Sequence, residues 1–189
     1  MIRAAGDCRF EGYPLPTLLR IALLVLHNPP YKPLDILLSY AHHTLQNSVF
    51  AAFVPQLLNR AKVAQLGTAS PFSMGLLTPN PPPWHPASAE IIAAKDRAII
   101  TAKAWEGGLP DLALGFALSE ADEPAMQSVP RVVGLSTMQE VHEAMRVWRN
   151  MQRYGGKDEK RKQMEEAVRK VFRDAGCENM SWQSPPLSS

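Results

Sequence analysis

Short apolar runs alternating with helix-period stripes limit this chain more than any other feature of its sequence. Asp35-Ile36-Leu37-Leu38-Ser39-Tyr40, Val63 to Ser70 and Val129-Pro130-Arg131-Val132-Val133-Gly134 are brief and nearly continuously apolar, as strands buried between helical layers are. Between them the apolar residues recur every three or four positions. From Pro14 to His27 they fall at Leu15, Leu18, Leu19, Ala22, Leu23 and Leu26, with proline at the start and Pro29-Pro30 at the stop. Phe50, Phe53, Val54, Leu57 and Leu58 form the next stripe, which Asn47 is placed to cap and Pro55 to bend. Ser88 to Trp105 and Leu109 to Ser119 follow, separated by Gly107-Gly108. Ser136 to Arg153 carries the stripe Val141, Met145 and Trp148; Gly155-Gly156 divides it from a charge-rich helix over Asp158 to Ala175. Helices alternating with buried strands predict an α/β fold of parallel βαβ units, with no internal repeat of fixed period.

Bulk properties narrow the function classes. The 189 residues are 46% hydrophobic and 20% charged, which suits one domain with a real core and excludes a disordered chain. A formal net charge of +2 does not by itself call for nucleic acid or a membrane surface. Basic residues do outnumber acidic ones between Arg146 and Arg173, but Glu159, Glu165 and Glu166 interleave with them. That pattern predicts a solvated outer helix with no nucleic-acid role. Cys8 and Cys177 lie far apart, in no metal or redox spacing, so free thiols in a cytoplasmic chain are expected. The start, Met1 to Asp7, lacks the apolar segment of a secretory signal, and the run Ile21 to Leu26 is too short to span a bilayer.

The most informative stretch is Ala69-Ser70-Pro71-Phe72-Ser73-Met74-Gly75-Leu76-Leu77-Thr78, continuing through Pro81-Pro82-Pro83-Trp84-His85-Pro86. An apolar run that ends at a Ser-Pro step, with glycine opening the turn beyond, is how a strand ends on a loop that comes close to a ligand. The prolines exclude helix or central strand and predict an ordered surface loop. This string resembles the loop after the seventh strand of the aldo-keto reductases, closest to the branch of L-galactose and fungal D-arabinose 1-dehydrogenases. There Ser-Pro-Leu-x-Met-Gly-Leu-Leu-Thr leads into Pro-Pro-x-Trp-His-Pro-Ala.

The resemblance runs from Gly12 to about Trp182 and leaves residues 1–11 unmatched. It implies the C-terminal half of a (β/α)8 TIM barrel, about three to four βα units, since a complete barrel takes roughly 250 residues. It also implies an NAD(P)-dependent oxidoreductase acting on an aldose, with a nicotinamide dinucleotide and a small sugar as ligands. Ser70, Phe72, Met74, Gly75 and Leu76 match the positions that wrap the pyrophosphate and ribose, chiefly with backbone N–H groups.

Gly134-Leu135-Ser136-Thr137-Met138-Gln139-Glu140 through Glu143-Ala144 is the second candidate. A Ser-Thr pair at a helix start suits an anion or ribose, and equally a capping box closed by Glu140. By resemblance, Gly134, Ser136, Thr137, Glu140 and Glu143 meet the adenosine half of the cofactor. Ala144 stands where the family has an asparagine that contacts adenine. Gly134 and Glu140 stand where NADP-preferring members place a lysine and an arginine, so NAD is favoured over NADP.

Other candidates carry less. His42-His43 would point to opposite sides of an extended segment and make a poor chelate, so both are read as strand-exit residues. His85 has no acidic or nucleophilic partner nearby in sequence and is assigned a structural role. The family's catalytic Asp, Tyr, Lys and His all come from the first half of the barrel. None of Tyr13, Tyr31, Tyr40 and Tyr154 sits in the catalytic tyrosine's context, so no catalytic residue is assigned and no turnover is expected from these residues alone. A non-enzymatic fragment that docks with a complementary half is the alternative. An open half-barrel would also leave inward strand residues without partners and expose edges to self-association.

Overall fold

Pro14 fixes the entry into the first helix, α1 (Leu15–His27), whose buried face is Leu15, Leu18 and Ala22. The computed structural model describes residues 13–119, 124–154 and 158–182. β1 (Ile36–Tyr40) leads into α2 (Phe50–Pro55). Pro55 has no N–H to give to the turn behind it, and beyond it the helix widens into a π turn, Gln56–Arg60. The Ala61 N–H there bonds the Gln56 carbonyl five residues back, at 3.0 Å. β2 (Gln65–Ala69), α3 (Ala89–Ala102), α4 (Gly108–Leu118), a short 3-10 turn at Pro124–Met126, β3 (Arg131–Val132), α5 (Met138–Tyr154) and α6 (Glu159–Asp174) complete the described order.

The three strands form one parallel sheet in the order β1-β2-β3, with Leu37 beside Leu66, Leu38 beside Gly67, and Ala69 between Tyr40 and Val132. The fold is mixed α/β, as the alternating pattern predicts. The strands are shorter than the apolar runs. Ser70 leaves β2 with φ +62°, and β3 is cut to two residues because Pro130 has no N–H for a ladder. One sheet face is packed: Leu37 and Leu66 meet Leu15, Leu18, Phe50, Val54 and Leu57 from α1, α2 and the π turn. The opposite face is open, with Ile36 69%, Leu38 40% and Val132 51% exposed. The expected lack of partners therefore holds for Ile36, Leu38 and Val132. It fails over most of Val63 to Ala69, where Val63, Leu66 and Ala69 are buried.

A second core lies at the C-terminal edge of the sheet. Leu45 from the loop after β1 and Leu76 and Leu77 from the loop after β2 pack with α3, α4 and α6. Its polar anchor is Asp111, buried on α4. Asp111 ion-pairs with Arg161 of α6 and with Arg146 of α5 (3.0 Å), and accepts from Trp105 Nε1 at 2.8 Å. The Arg161 guanidinium stacks over the Trp105 ring at 4.8 Å and lies where a side chain on Gly115 would have to go. Gly107, with φ +84°, makes the left-handed turn that starts α4.

Three expectations need correction. Helix α6 is not simply a solvated outer helix, because Arg161, Glu165, Val168 and Phe172 are buried. Its N-terminus is capped by Asp158, which accepts from the Lys160 and Arg161 amides. On α5 the packed residues are Ala144, Val147 and Met151, whereas Met145 and Trp148 are exposed. The expected stripe runs through the larger side chains, but the smaller ones pack against Leu114 of α4. Asn47 does not cap α2, whose N-cap position is Val49, with no side-chain cap. Its amide reaches instead to the Met180 carbonyl (3.3 Å) and Ser181 Oγ (3.2 Å). Cys177 is a free, buried thiol. Cys8, the unmatched residues 1–11 and the Gly155-Gly156 break lie outside the described residues. No described helix is long and apolar enough to cross a membrane.

Candidate functional site

The loop after β2 is a tight, strained coil. Ser70, Ser73 and Met74 all take positive φ (62°, 50° and 60°), followed by Gly75 at 90°. Three non-glycine residues in the left-handed region cost on the order of 1–3 kcal/mol each, so their surroundings must impose the conformation. Several contacts do. Ser70 Oγ accepts from the Met74 amide at 2.7 Å, and Ser73 Oγ donates to Thr44 Oγ1 at 3.0 Å. His85 Nδ1 accepts from the Ala87 amide, so Nε2 carries the proton and donates to the Ser73 carbonyl at 2.9 Å. Partial burial lowers the His85 pKa, which keeps this tautomer neutral. Trp182 packs edge-on against His85 (4.9 Å between rings) and its Nε1 donates to Met74 Sδ at 3.3 Å. His85 thus holds the loop, as expected of it.

The amides matter most for a ligand. Those of Ser73, Gly75, Leu76, Leu77 and Thr78 all donate to carbonyls inside the loop, and that of Met74 donates to Ser70 Oγ. Leu76 is fully buried in the second core, while Phe72, Met74 and Gly75 are partly exposed.

At the second candidate, Glu140 folds back on its own helix start. Its Oε2 accepts from the Ser136 and Thr137 amides, and its amide donates to Thr137 Oγ1 at 3.2 Å. This is the capping box, and it places a carboxylate where an anion would otherwise sit. Gly134 is exposed with nothing within 4 Å of where a Cβ would stand, and Glu143 pairs with Gln139 at 2.9 Å.

The two segments leave the same edge of the sheet, because Ala69 and Val132 are register partners on neighbouring strands. Phe72 reaches across to the cluster that contains Val133 and Ala144. The amides from Ser73 to Thr78, and those of Ser136 and Thr137, are spent inside the protein.

Sequence reasoning missed the condition of the paired histidines. Both are buried. His42 Nδ1 shares a hydrogen bond with Ser39 Oγ at 2.9 Å, and burial lowers its pKa to about 4. The His43 ring lies 5.3 Å from Phe116, and neither nitrogen has a hydrogen-bond partner among the described residues. Its pKa is also lowered to about 4, by burial first and then by the nearby Arg131 and Arg169 charges. One signal could have shown this: no Asp, Glu, Lys or Arg occurs between Asp35 and Arg60.

Comparison with known proteins agrees with the resemblance to the aldo-keto reductases. The chain is 31% identical over 185 residues, 97% of its length, to L-galactose dehydrogenase of Arabidopsis thaliana. It is 31% identical over 137 residues, 71% of its length, to D-arabinose 1-dehydrogenase of Saccharomyces cerevisiae. The chain spans 53% of the first relative and 40% of the second, about half a protein of this kind. No family model matches it.

Proposed function

We propose that the chain is the cofactor-holding C-terminal half of a (β/α)8-barrel aldose 1-dehydrogenase, of the D-arabinose or L-galactose type, that uses NAD. The observation that supports this best is the exit of the two candidate segments side by side from one sheet edge. Gly134, Ser136, Thr137, Glu140 and Glu143 would face the adenosine, and Ser70, Phe72, Met74, Gly75 and Leu76 the rest of the dinucleotide. The bound nicotinamide would accept the hydride taken from the sugar. Preference for NAD follows from Glu140. Its carboxylate already neutralises the α5 N-terminus and would repel a 2′-phosphate.

The acid–base residues are proposed to come from the other half of the barrel, so these residues alone turn over neither D-arabinose nor L-galactose. The exposed Ile36, Leu38 and Val132 favour the related reading of a fragment completed by a second half. Assays with both sugars and NAD test the reading. It predicts no turnover from the chain alone, and activity once a first half-barrel is joined to it. Turnover that co-purifies with the chain alone refutes the division of labour.

A further inference from the structure

Helix α5 carries two apolar faces, and one of them is bare. Ala144, Val147 and Met151 meet Leu114 of α4. About a third of a turn round the helix, Met138, Met145 and Trp148 stand 70%, 38% and 44% exposed, with half-buried Val141 in line with them. These four positions have the spacing of a helix face that packs against a neighbour. None is among the candidate cofactor residues. A row of large apolar side chains held at the surface marks a contact.

The bare face lies at the open end of the fold. β3 is last in the sheet order, and α5 follows it in the chain. A cleft of about 460 Å³ lies beside them, walled by Trp148, Met151 and Gln152 of α5 and by the segment Gln127 to Arg131 that leads into β3. In a (β/α)8 barrel the helices form a closed outer ring, so each has a helix on either side. Here α4 supplies one neighbour of α5. Charge narrows the choice of the other. Arg149, at the margin of the bare face, is exposed and has no ion-pair partner among the described residues. The carboxylates of α5 are taken, Glu140 by its own helix start and Glu143 by Gln139. A second copy packed α5 to α5 would therefore leave Arg149 unmatched.

We propose that this flank of α5 is the docking surface for a helix of the completing half-barrel. Trp148 anchors it, seated among apolar side chains of the partner helix, and a partner carboxylate faces Arg149. The occupant follows from length, because the chain spans 53% and 40% of its two relatives and so lacks about half of such a protein. The inference rests on the half-barrel reading. It adds an outer, helix-to-helix contact to the inner one at Ile36, Leu38 and Val132, and names the residue expected to dominate it.

The test refolds the intact chain together with the part of Arabidopsis L-galactose dehydrogenase that it does not span, made as a separate chain. Association is followed by sedimentation velocity over a dilution series. Trp148 and Ile36 are exposed in the chain alone, so Trp148→Ser and Ile36→Ser should melt close to the parent. The two chains are expected to associate one to one. Trp148→Ser should weaken them about thirtyfold, the loss of an anchoring tryptophan, and Arg149→Glu should weaken them as well. Weakening by Ile36→Ser but not by Trp148→Ser or Arg149→Glu overturns this inference and leaves the half-barrel reading standing. No association at all overturns both. A dimer of the chain alone that Trp148→Ser disperses gives the face to a second copy, and the proposal falls.

Discussion

Acidification should destabilise this protein before its carboxylates titrate, through His42 and His43. Both rings have a folded-state pKa of about 4 against an ordinary value of 6.5. The unfolded chain therefore takes up protons between those values that the folded chain refuses, and stability falls as pH drops through that window. At pH 5 an unfolded ring is almost fully protonated and a buried one mostly neutral. With about 1.36 kcal/mol per pH unit, each ring costs about 2 kcal/mol on going from pH 7 to pH 5, and the pair about 4. That is a large part of the roughly 5–15 kcal/mol that holds a typical domain together. At about 2–4 °C per kcal/mol, the melting temperature should drop by about 10 °C. Thermal and urea unfolding at pH 7, 6 and 5, in phosphate-free chloride buffer, reads this directly. His43→Phe should remove about half of the slope. Stability that stays level from pH 7 to pH 5, or a slope unchanged by His43→Phe, refutes the reasoning.

Other outcomes follow from particular contacts. Gly115→Ala would drive a methyl into the Arg161 guanidinium and pull it from buried Asp111, a loss of about 3–5 kcal/mol visible as a lower melting temperature. Glu140→Ala opens the capping box and should cost about 1 kcal/mol in urea unfolding. In the isolated chain, Ile36→Ser should change stability by under about 1 kcal/mol, because Ile36 is exposed, whereas Leu37→Ala on the packed face should cost about 2–5 kcal/mol. Joined to a first half-barrel, Ile36→Ser should become costly.

The strand and helix order was legible because each apolar run and stripe carries its own period. Pro14, Ser88, Asp158 and Gly107 mark helix starts by local chemistry that tertiary packing did not override. What packing decides was harder to read. The α5 stripe was drawn through Met145 and Trp148 because large side chains signal a core. The face toward α4 instead needs the smaller Ala144 and Val147 beside Leu114. Arg161 looked like one charge among many on a basic helix, and nothing local reveals that Asp111, fifty residues earlier, draws it inside. The same holds for the tail, where Asn47 and Gln46 bind Met180 and Cys177 carbonyls more than a hundred residues away. At the candidate site, the string Ser70 to Thr78 marked the loop but not the state of its amides, which depends on positive φ values at Ser70, Ser73 and Met74.

The central claim is a nicotinamide dinucleotide held at the edge where Ser70 and Gly134 leave the sheet, with NAD preferred. Fluorescence titration of the chain with NADH and with NADPH, before and after Glu140→Arg, tests it most directly. The account predicts weak binding that favours NADH in the unaltered chain, and a preference narrowed or inverted when arginine replaces the glutamate at the α5 N-terminus. Tighter binding of NADPH than of NADH by the unaltered chain would contradict it.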